Sequence, residues 1–405
     1  MKLMEDARSN AAWLTCLATA FACLAAAAQM ESFNTDYPGA NGKLQSIDRA
    51  SRTVRYESDW RGGSHYWFNF EARGFTGRWR FIGSRITKVG PAVSEDGGKS
   101  WYFLYPSADA QREIFDFDFG DVARPVRFAL SIPYQLADWN RLADRIRGKE
   151  GVKLGVLCKD RLGTPAPVLE ICRSERPEWT FLFTARHHAC ECSASWVMEG
   201  LIDEVLSDTP EARWVRERAR IVCVPFIDLD GVEQGEQGKS RKPHDHNRDY
   251  AQELYPTIKA LKAYVKAHCM DGSLVFIDMH SPGVRGIEHD HYYGLGPAGE
   301  GPNRLWLAYS RELEKATRRA RLRYDPQWDI PFGRPWNTEA LFYSSNDLVK
   351  SDRYFASLPN CKLAFCMEYG YGLCGGIFCP EGANEVGRCT IKAVVRSLTG
   401  QSNAR

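Results

Sequence analysis

The chain has 405 residues, 44% hydrophobic and 26% charged, enough apolar material to bury a large core without staples. A formal net charge of +2 points away from nucleic acid or an anionic lipid surface as the main partner. The length suggests two or three domains, and there is no internal repeat, heptad run or low-complexity tract.

In chain order, the first feature is an uncharged run through residues 12–28, behind Lys2 and Arg8 and ending in small residues. That is the pattern of a secretory signal with cleavage near Ala28. It implies removal of residues 1–28 and export to a periplasm or the medium. The run is short for a bilayer span, which needs about 20 apolar residues, and no later stretch reaches that length. No stable membrane span is therefore expected once the signal is removed. Of 13 cysteines, Cys16 and Cys23 fall in this run, leaving an odd number and so at least one unpaired thiol. Export permits disulfides, and Cys361, Cys366, Cys374, Cys379 and Cys389 crowd together as the group expected to include one.

Residues 30–135 read as all-β. Runs such as 65–71 and Phe115–Phe119 alternate with period two, as strands with one buried and one wet face do. Glu95–Lys99 carries Asp-Gly-Gly and reads as a hairpin turn. These short strands predict a small β-sandwich, ending near Pro133-Tyr134. Residues 136–405 read as an α/β domain. Apolar runs at Trp179–Phe183, Ile221–Phe226, Leu274–Met279 and Leu363–Met367 predict strands buried on both faces. Between them, Leu254, Ile258, Leu261 and Val265 fall on one helical face, and residues 303–322 read as a second helix. The expected fold is an α/β catalytic domain with a mixed, mostly parallel sheet, preceded by a small all-β sandwich.

Four pieces that carry chemistry sit at or just after the buried strands, where sites form in open α/β sheets. His188 and Glu191 make an H-x-x-E pair able to converge on one ion, and zinc accepts both ligand types. Alone, the pair also reads as a helix N-terminal Glu beside a surface His. Asn247 and Arg248 group several donors, and Arg grips a carboxylate through two parallel hydrogen bonds. A solvated, N-capped loop is the alternative. His280 ends a buried strand and suits a third ligand, or is a satisfied interior His. Glu368 ends another apolar strand, where a carboxylate is costly to bury unless partnered. A general base beside an ion-activated water would explain it, as would an ion pair.

In this order the four motifs resemble the zinc carboxypeptidase superfamily that includes carboxypeptidase A. The text VPFIDLDGVEQG…DHNRDY is similar to its cytosolic-carboxypeptidase branch, where Pro-Asp-Gly-Val precedes Asp-Leu-Asn-Arg and a β-sandwich precedes the catalytic domain. VGPAVSEDGGKSWYF and IPYQLADW look like recurring segments of that branch, so the resemblance covers nearly all of the mature chain. It implies one zinc ion held by His188, Glu191 and His280, with Glu368 as general base and proton shuttle. It implies that Asn247 and Arg248 bind the terminal carboxylate of a peptide. The family's carbonyl-polarising Arg has Gly238 in its place here; Lys239 and Arg241 lie close by, and either would supply the charge. The ligand pair encloses Ala189-Cys190 rather than the family's Pro-Gly. Cys190 and Cys192 read as packing or disulfide residues, and His187 stands one residue too far from Glu191 to replace His188. In the stretch before Glu368, Lys350 or Arg353 would favour an acidic C-terminal residue, or both are solvated loop charges.

The expected activity is hydrolysis of the C-terminal residue of peptides. The alternatives are an amidase or deacylase acting on N-acyl amino acids or cell-wall peptides through the same site, and a non-catalytic peptide-binding protein. The β domain would frame the entrance or act as a separate binding module. Zinc is the expected metal, although another first-row ion suits the same donors.

Overall fold

The computed structural model describes residues 30–61, 66–106, 108–239, 241–284, 290–345 and 348–400, with the backbone alone for 341–345. The expected leader, residues 1–28, lies outside the described residues.

Two five-stranded sheets are built from residues 32–129. One runs in the order Ser32–Asn34, Asn69–Arg73, Val126–Ala129, Ala92–Ser94, Tyr102–Phe103; the other runs Lys43–Asp48, Thr53–Glu57, Arg78–Ile82, Ile114–Asp118, Ala108–Asp109. Alternation accounts for the core between them. In Arg78–Ile82 the arginines stay wet while Trp79 and Phe81 are buried. Phe81 is the register partner of Phe115 and stacks on it at 4.9 Å, with Phe128 5.1 Å from both rings. Full burial of each such ring stabilises by about 1.5–3 kcal/mol. The Glu95–Lys99 hairpin joins Ala92–Ser94 to Tyr102–Phe103. Asn69–Arg73 departs from the expectation of one wet face. Its polar positions are buried too, because Asn69 bonds to Gly39 and Tyr37 while Glu71 is paired with Arg73 and Arg127.

The larger sheet has seven strands in the order Val152–Lys159, Pro165–Ile171, Ala219–Val224, Trp179–Ala185, Ser273–His280, Cys361–Tyr369, Tyr292–Leu295. It is mixed, with four parallel strands at its centre and antiparallel pairs on each side. The central strands are mostly apolar on both faces because helices cover both. Phe181, Phe183, Val275, Ile277 and Phe365 face the helices Ser193–Val205, Glu300–Thr317 and Pro380–Thr399. Leu182, Val222, Phe276 and Ala364 face the helix Pro256–His268 and Phe355. Ile258, Leu261 and Val265 form that helix's buried stripe. Leu254 is 55% exposed, because the chain turns into the helix only at Pro256.

The expected disulfide does not form: all eleven described cysteines are free thiols. The five C-terminal ones are dispersed by the fold. Cys361 packs under the helix Pro256–His268, Cys366 against Tyr293 and Ile330, and Cys374 and Cys389 in the main core. Among the described residues no helix is long and apolar enough to cross a membrane.

Candidate metal centre and cleft

The site lies at the carboxyl ends of the parallel strands, where the chain leaves the sheet. Trp179–Ala185 ends in Arg186, which is buried and takes the left-handed conformation at φ +63°. For a residue with a side chain that conformation is strained, and such strain gathers at functional sites. The Arg186 guanidinium holds the turn by donating to the Ala189 carbonyl at 2.9 Å and to the Tyr134 carbonyl at 2.9 Å. The following loop brings His188 and Glu191 over the sheet edge, facing His280 at the end of the next strand.

His188 Nδ1 lies 2.8 Å from Glu191 Oε1, and His280 Nδ1 lies 2.7 Å from Glu191 Oε2. The ligand atoms of these three residues all lie within 4.8 Å of one another, and all three residues are buried. Behind them, His188 Nε2 lies 3.7 Å from Asp245 and His280 Nε2 lies 2.7 Å from Asp278. At His280 the carboxylate on the far nitrogen fixes the orientation of the ring, the usual support of a metal-binding His. Burial works against charge on Glu191, yet His188, Lys239 and His280 outweigh it and hold the carboxyl well below the usual carboxylate range. For His280, Asp278 and Glu191 overcome burial and raise the imidazole to about 10.

A second trio, His187, Asp278 and His280, also clusters closely. Its atoms are already committed. Asp278 accepts from Thr184 Oγ1 at 2.8 Å and from Ser351 Oγ, and it lies 2.9 Å from His187 Nδ1; His187 Nε2 lies 2.9 Å from the Tyr250 hydroxyl. Neither His187 nor Asp278 lines the cleft, so this trio offers no open position for a substrate or water. It supports His280 instead.

The cleft itself has a volume of about 420 Å³ and is lined by His188, Lys239, Asp245, Asn247, Arg248, His280, Tyr293, Trp336, Lys350 and Glu368, among others. Glu368 is the register partner of His280 on the adjacent parallel strand, which puts both side chains on one face of the sheet. Its Oε2 is enclosed and makes no hydrogen bond among the described residues, and burial pushes its carboxyl above the usual range. Lys239 reaches in from the other side, with Nζ 3.0 Å from Glu191. Arg248 lines the cleft and donates to the Asn247 carbonyl at 2.9 Å. The Asn247 amide is occupied, with Oδ1 accepting from Ser351 N at 2.9 Å and Nδ2 lying 2.8 Å from His280 Nε2.

Arg241 does not reach the cleft. It is buried and ion-paired with Asp228 and Glu236. Arg353 points away toward Glu339, whereas Lys350 lines the cleft and is paired with Asp352 at 3.0 Å.

Among proteins of known identity, this chain is 30% identical over 220 residues to cytosolic carboxypeptidase 2 of Xenopus tropicalis and 31% identical over 217 residues to that of Danio rerio. Each match covers 50% of the chain, but only 21% and 29% of those proteins, so the chain corresponds to under a third of their length. Its fold is that of a metallo-carboxypeptidase from Burkholderia cenocepacia (TM-score 0.75, 15% identity, 92% of this chain and 100% of that one). It also matches a metallo-carboxypeptidase from Pseudomonas aeruginosa solved with (2-guanidinoethylmercapto)succinic acid (TM-score 0.71, 21% identity, 90% and 98%). No family model matches. Over half of its length the chain is thus similar to cytosolic carboxypeptidases, and over nearly all of its length it has the fold of metallo-carboxypeptidases.

The expectation of export is corrected by these relatives, which are cytosolic carboxypeptidases. The apolar composition of residues 12–28 misled because hydropathy alone carries no address. The sequence reading also gave no role to Asp278, Asp245 or Arg186. Asp278 was signalled by its place two residues before His280, on the same face of the same strand. Arg186 carried no signal, since its role depends on carbonyls that only the fold brings to it.

Proposed function

We propose that this protein is a zinc-dependent carboxypeptidase acting in the cytosol, as its relatives' name suggests. The observation that carries the reading is Glu368: an enclosed carboxylate with an unbonded oxygen, on the strand beside His280 and open to the same cleft. His188, Glu191 and His280 fit one zinc ion as an N, O, N set with a cleft-facing side for a fourth ligand. Zinc supplies a Lewis acid that lowers the pKa of water to near neutrality.

The chain's own residues do the rest. Glu368, with its raised pKa, accepts the proton of the attacking water and returns it to the leaving amine. Lys239, which reaches Glu191 at 3.0 Å, faces the scissile carbonyl and steadies the negative charge that grows on its oxygen. Arg248 takes the substrate's free carboxylate; the Asn247 backbone carbonyl orients Arg248, and the Asn247 side chain, held by Ser351 N, lies beside His280. Lys350 deepens the positive potential of the cleft and favours an acidic terminal residue. The β sheets of residues 32–129 and the α/β portion from residue 136 act as two domains with their boundary near Pro133.

The test is release of the C-terminal residue from blocked dipeptides and longer peptides by zinc-loaded protein, chelator-treated protein and Glu368→Gln. The expected result is release that needs zinc and falls by about 10²–10⁴ in kcat for the variant, with bound zinc unchanged. Release that survives in Glu368→Gln would sink the assignment of the base. Cleavage confined to N-acyl amino acids would move the reading to a deacylase.

A further inference from the structure

We infer that the N-terminal sheets are a working part of the site, and that Gln237 is the positioning residue that couples them to the metal-binding loop and to Lys239. The inference rests on the carboxypeptidase reading for its kinetic consequence but not for its structural one.

Gln237 is 1% exposed and every polar atom of its side chain is used. Its Oε1 accepts from the backbone N–H groups of Tyr66 at 3.3 Å and Trp67 at 3.0 Å, both in the N-terminal portion. Its Nε2 donates to Cys190 Sγ at 3.0 Å, between the ligands His188 and Glu191. Its backbone carbonyl accepts from Cys190 N at 3.2 Å. One residue thus ties the N-terminal backbone to the middle of the H-x-x-E turn.

The neighbours reinforce the coupling. Gly238, at φ +86°, is pressed so closely on the turn that a Cβ there would sit 2.4 Å from Ala189 N and 2.9 Å from His188 Cα. No side chain fits there without moving the turn. The next residue, Lys239, then reaches Glu191. On the other flank Asn41 Nδ2 donates to the Gly235 carbonyl at 2.8 Å and Gly39 N to the Glu233 carbonyl at 2.8 Å. Cys190 Sγ lies 3.2 Å from the hydroxyl of Tyr371, whose carbonyl accepts from Ser131 Oγ at 2.7 Å. The segment 233–239 is therefore clamped between the N-terminal sheets and the ligand turn, and the cation it carries is placed by that clamp.

The experiment uses the full chain, loaded with zinc, as wild type, Gln237→Met and Asn41→Ala, each first checked for a cooperative melt. Gln237→Met keeps the volume and removes the bonds; Asn41→Ala cuts the tether from the opposite side and decides the matter should the first variant not fold. Two readouts are taken: backbone hydrogen exchange over residues 187–192, and kcat and KM on a blocked dipeptide. Faster exchange over 187–192 in either variant, with kcat down at least tenfold and KM within about threefold, is the expected result. Wild-type exchange over 187–192 in every variant that folds, or wild-type kcat in every such variant of an active enzyme, overturns the coupling. Should the wild type release nothing from any peptide, the carboxypeptidase reading fails, and the exchange readout alone then decides whether the coupling stands.

Discussion

Lys239 and Arg241 are two basic residues of one segment with opposite fates. Lys239 reaches the cleft and pairs with a proposed ligand; Arg241 is buried against Asp228. Lys239→Met is expected to lower kcat by about 10²–10³ with little change in melting temperature, as loss of a group that stabilises a developing oxyanion does. Arg241→Met is expected to leave the kcat of the folded enzyme within threefold and to cost about 3 kcal/mol in a denaturant melt, because Asp228 stays buried with part of its compensation gone. Asp228 also contacts His246, whose ring stacks on Tyr255 at 3.7 Å. Burial, against the pull of Asp228, pushes this imidazole down to about 3. The folded state keeps it neutral while the unfolded chain takes up a proton below about 6.5, so its stabilising contribution is complete above pH 6.5 and is lost as pH falls toward 3. Between pH 8 and pH 5 the wild type is therefore expected to lose about 2 kcal/mol more than His246→Leu, measured by urea unfolding at each pH. Equal losses would show that His246 titrates normally in the folded protein. At this scale the proposed ligands and base were legible as candidates in the sequence because each follows or ends an apolar strand. The split between Lys239 and Arg241 was not, since two residues along a loop decide nothing about which side faces a cleft.

At the scale of elements, the helices Ser193–Val205 and Pro380–Thr399 pack with backbones nearly touching. A Cβ on Gly200 would lie 2.0 Å from the Asn384 carbonyl oxygen, and one on Gly387 would lie 2.0 Å from that of Val197. Both obstacles are main chain and cannot rotate away. Gly200→Ala and Gly387→Ala are each expected to lower stability by about 1–3 kcal/mol in thermal or denaturant melts, although alanine is the better helix former. A stabilised variant would mean that the helices are farther apart than described. The elements themselves were read well where periodicity was strong: the four central strands and the helix Pro256–His268 follow from apolar runs and from Ile258, Leu261 and Val265. The alternation expected of the strand through Asn69–Arg73 did not predict its burial on both faces. Its polar side chains are satisfied by residues distant in sequence, among them Tyr37 and Arg127.

For the whole molecule, the free thiols and the cytosolic relatives lead to the same expectation. Denaturation and alkylation without a reductant should label all eleven described cysteines, and prior reduction should not increase labelling at those sites, as read by peptide mass spectrometry. A pair labelled only after reduction would mark a disulfide that the fold does not contain. The N-terminal sheets and the α/β portion join through buried polar contacts, including Gln237 with Tyr66 and Trp67 and Arg186 with Tyr134. Such contacts tolerate little displacement, since breaking one strands a buried donor or acceptor at a cost of about 1–3 kcal/mol. The sequence by itself determined the fold class, the four central strands and the four motifs, because those depend on local periodicity and on residues next to strand ends. Only the tertiary structure decided that Lys239 and not Arg241 enters the cleft, that Asp245 stands behind His188, and that Gln237 ties the N-terminal backbone to the ligand turn. Those are matters of distance between segments tens to hundreds of residues apart, and hydropathy patterns carry no information about such distances.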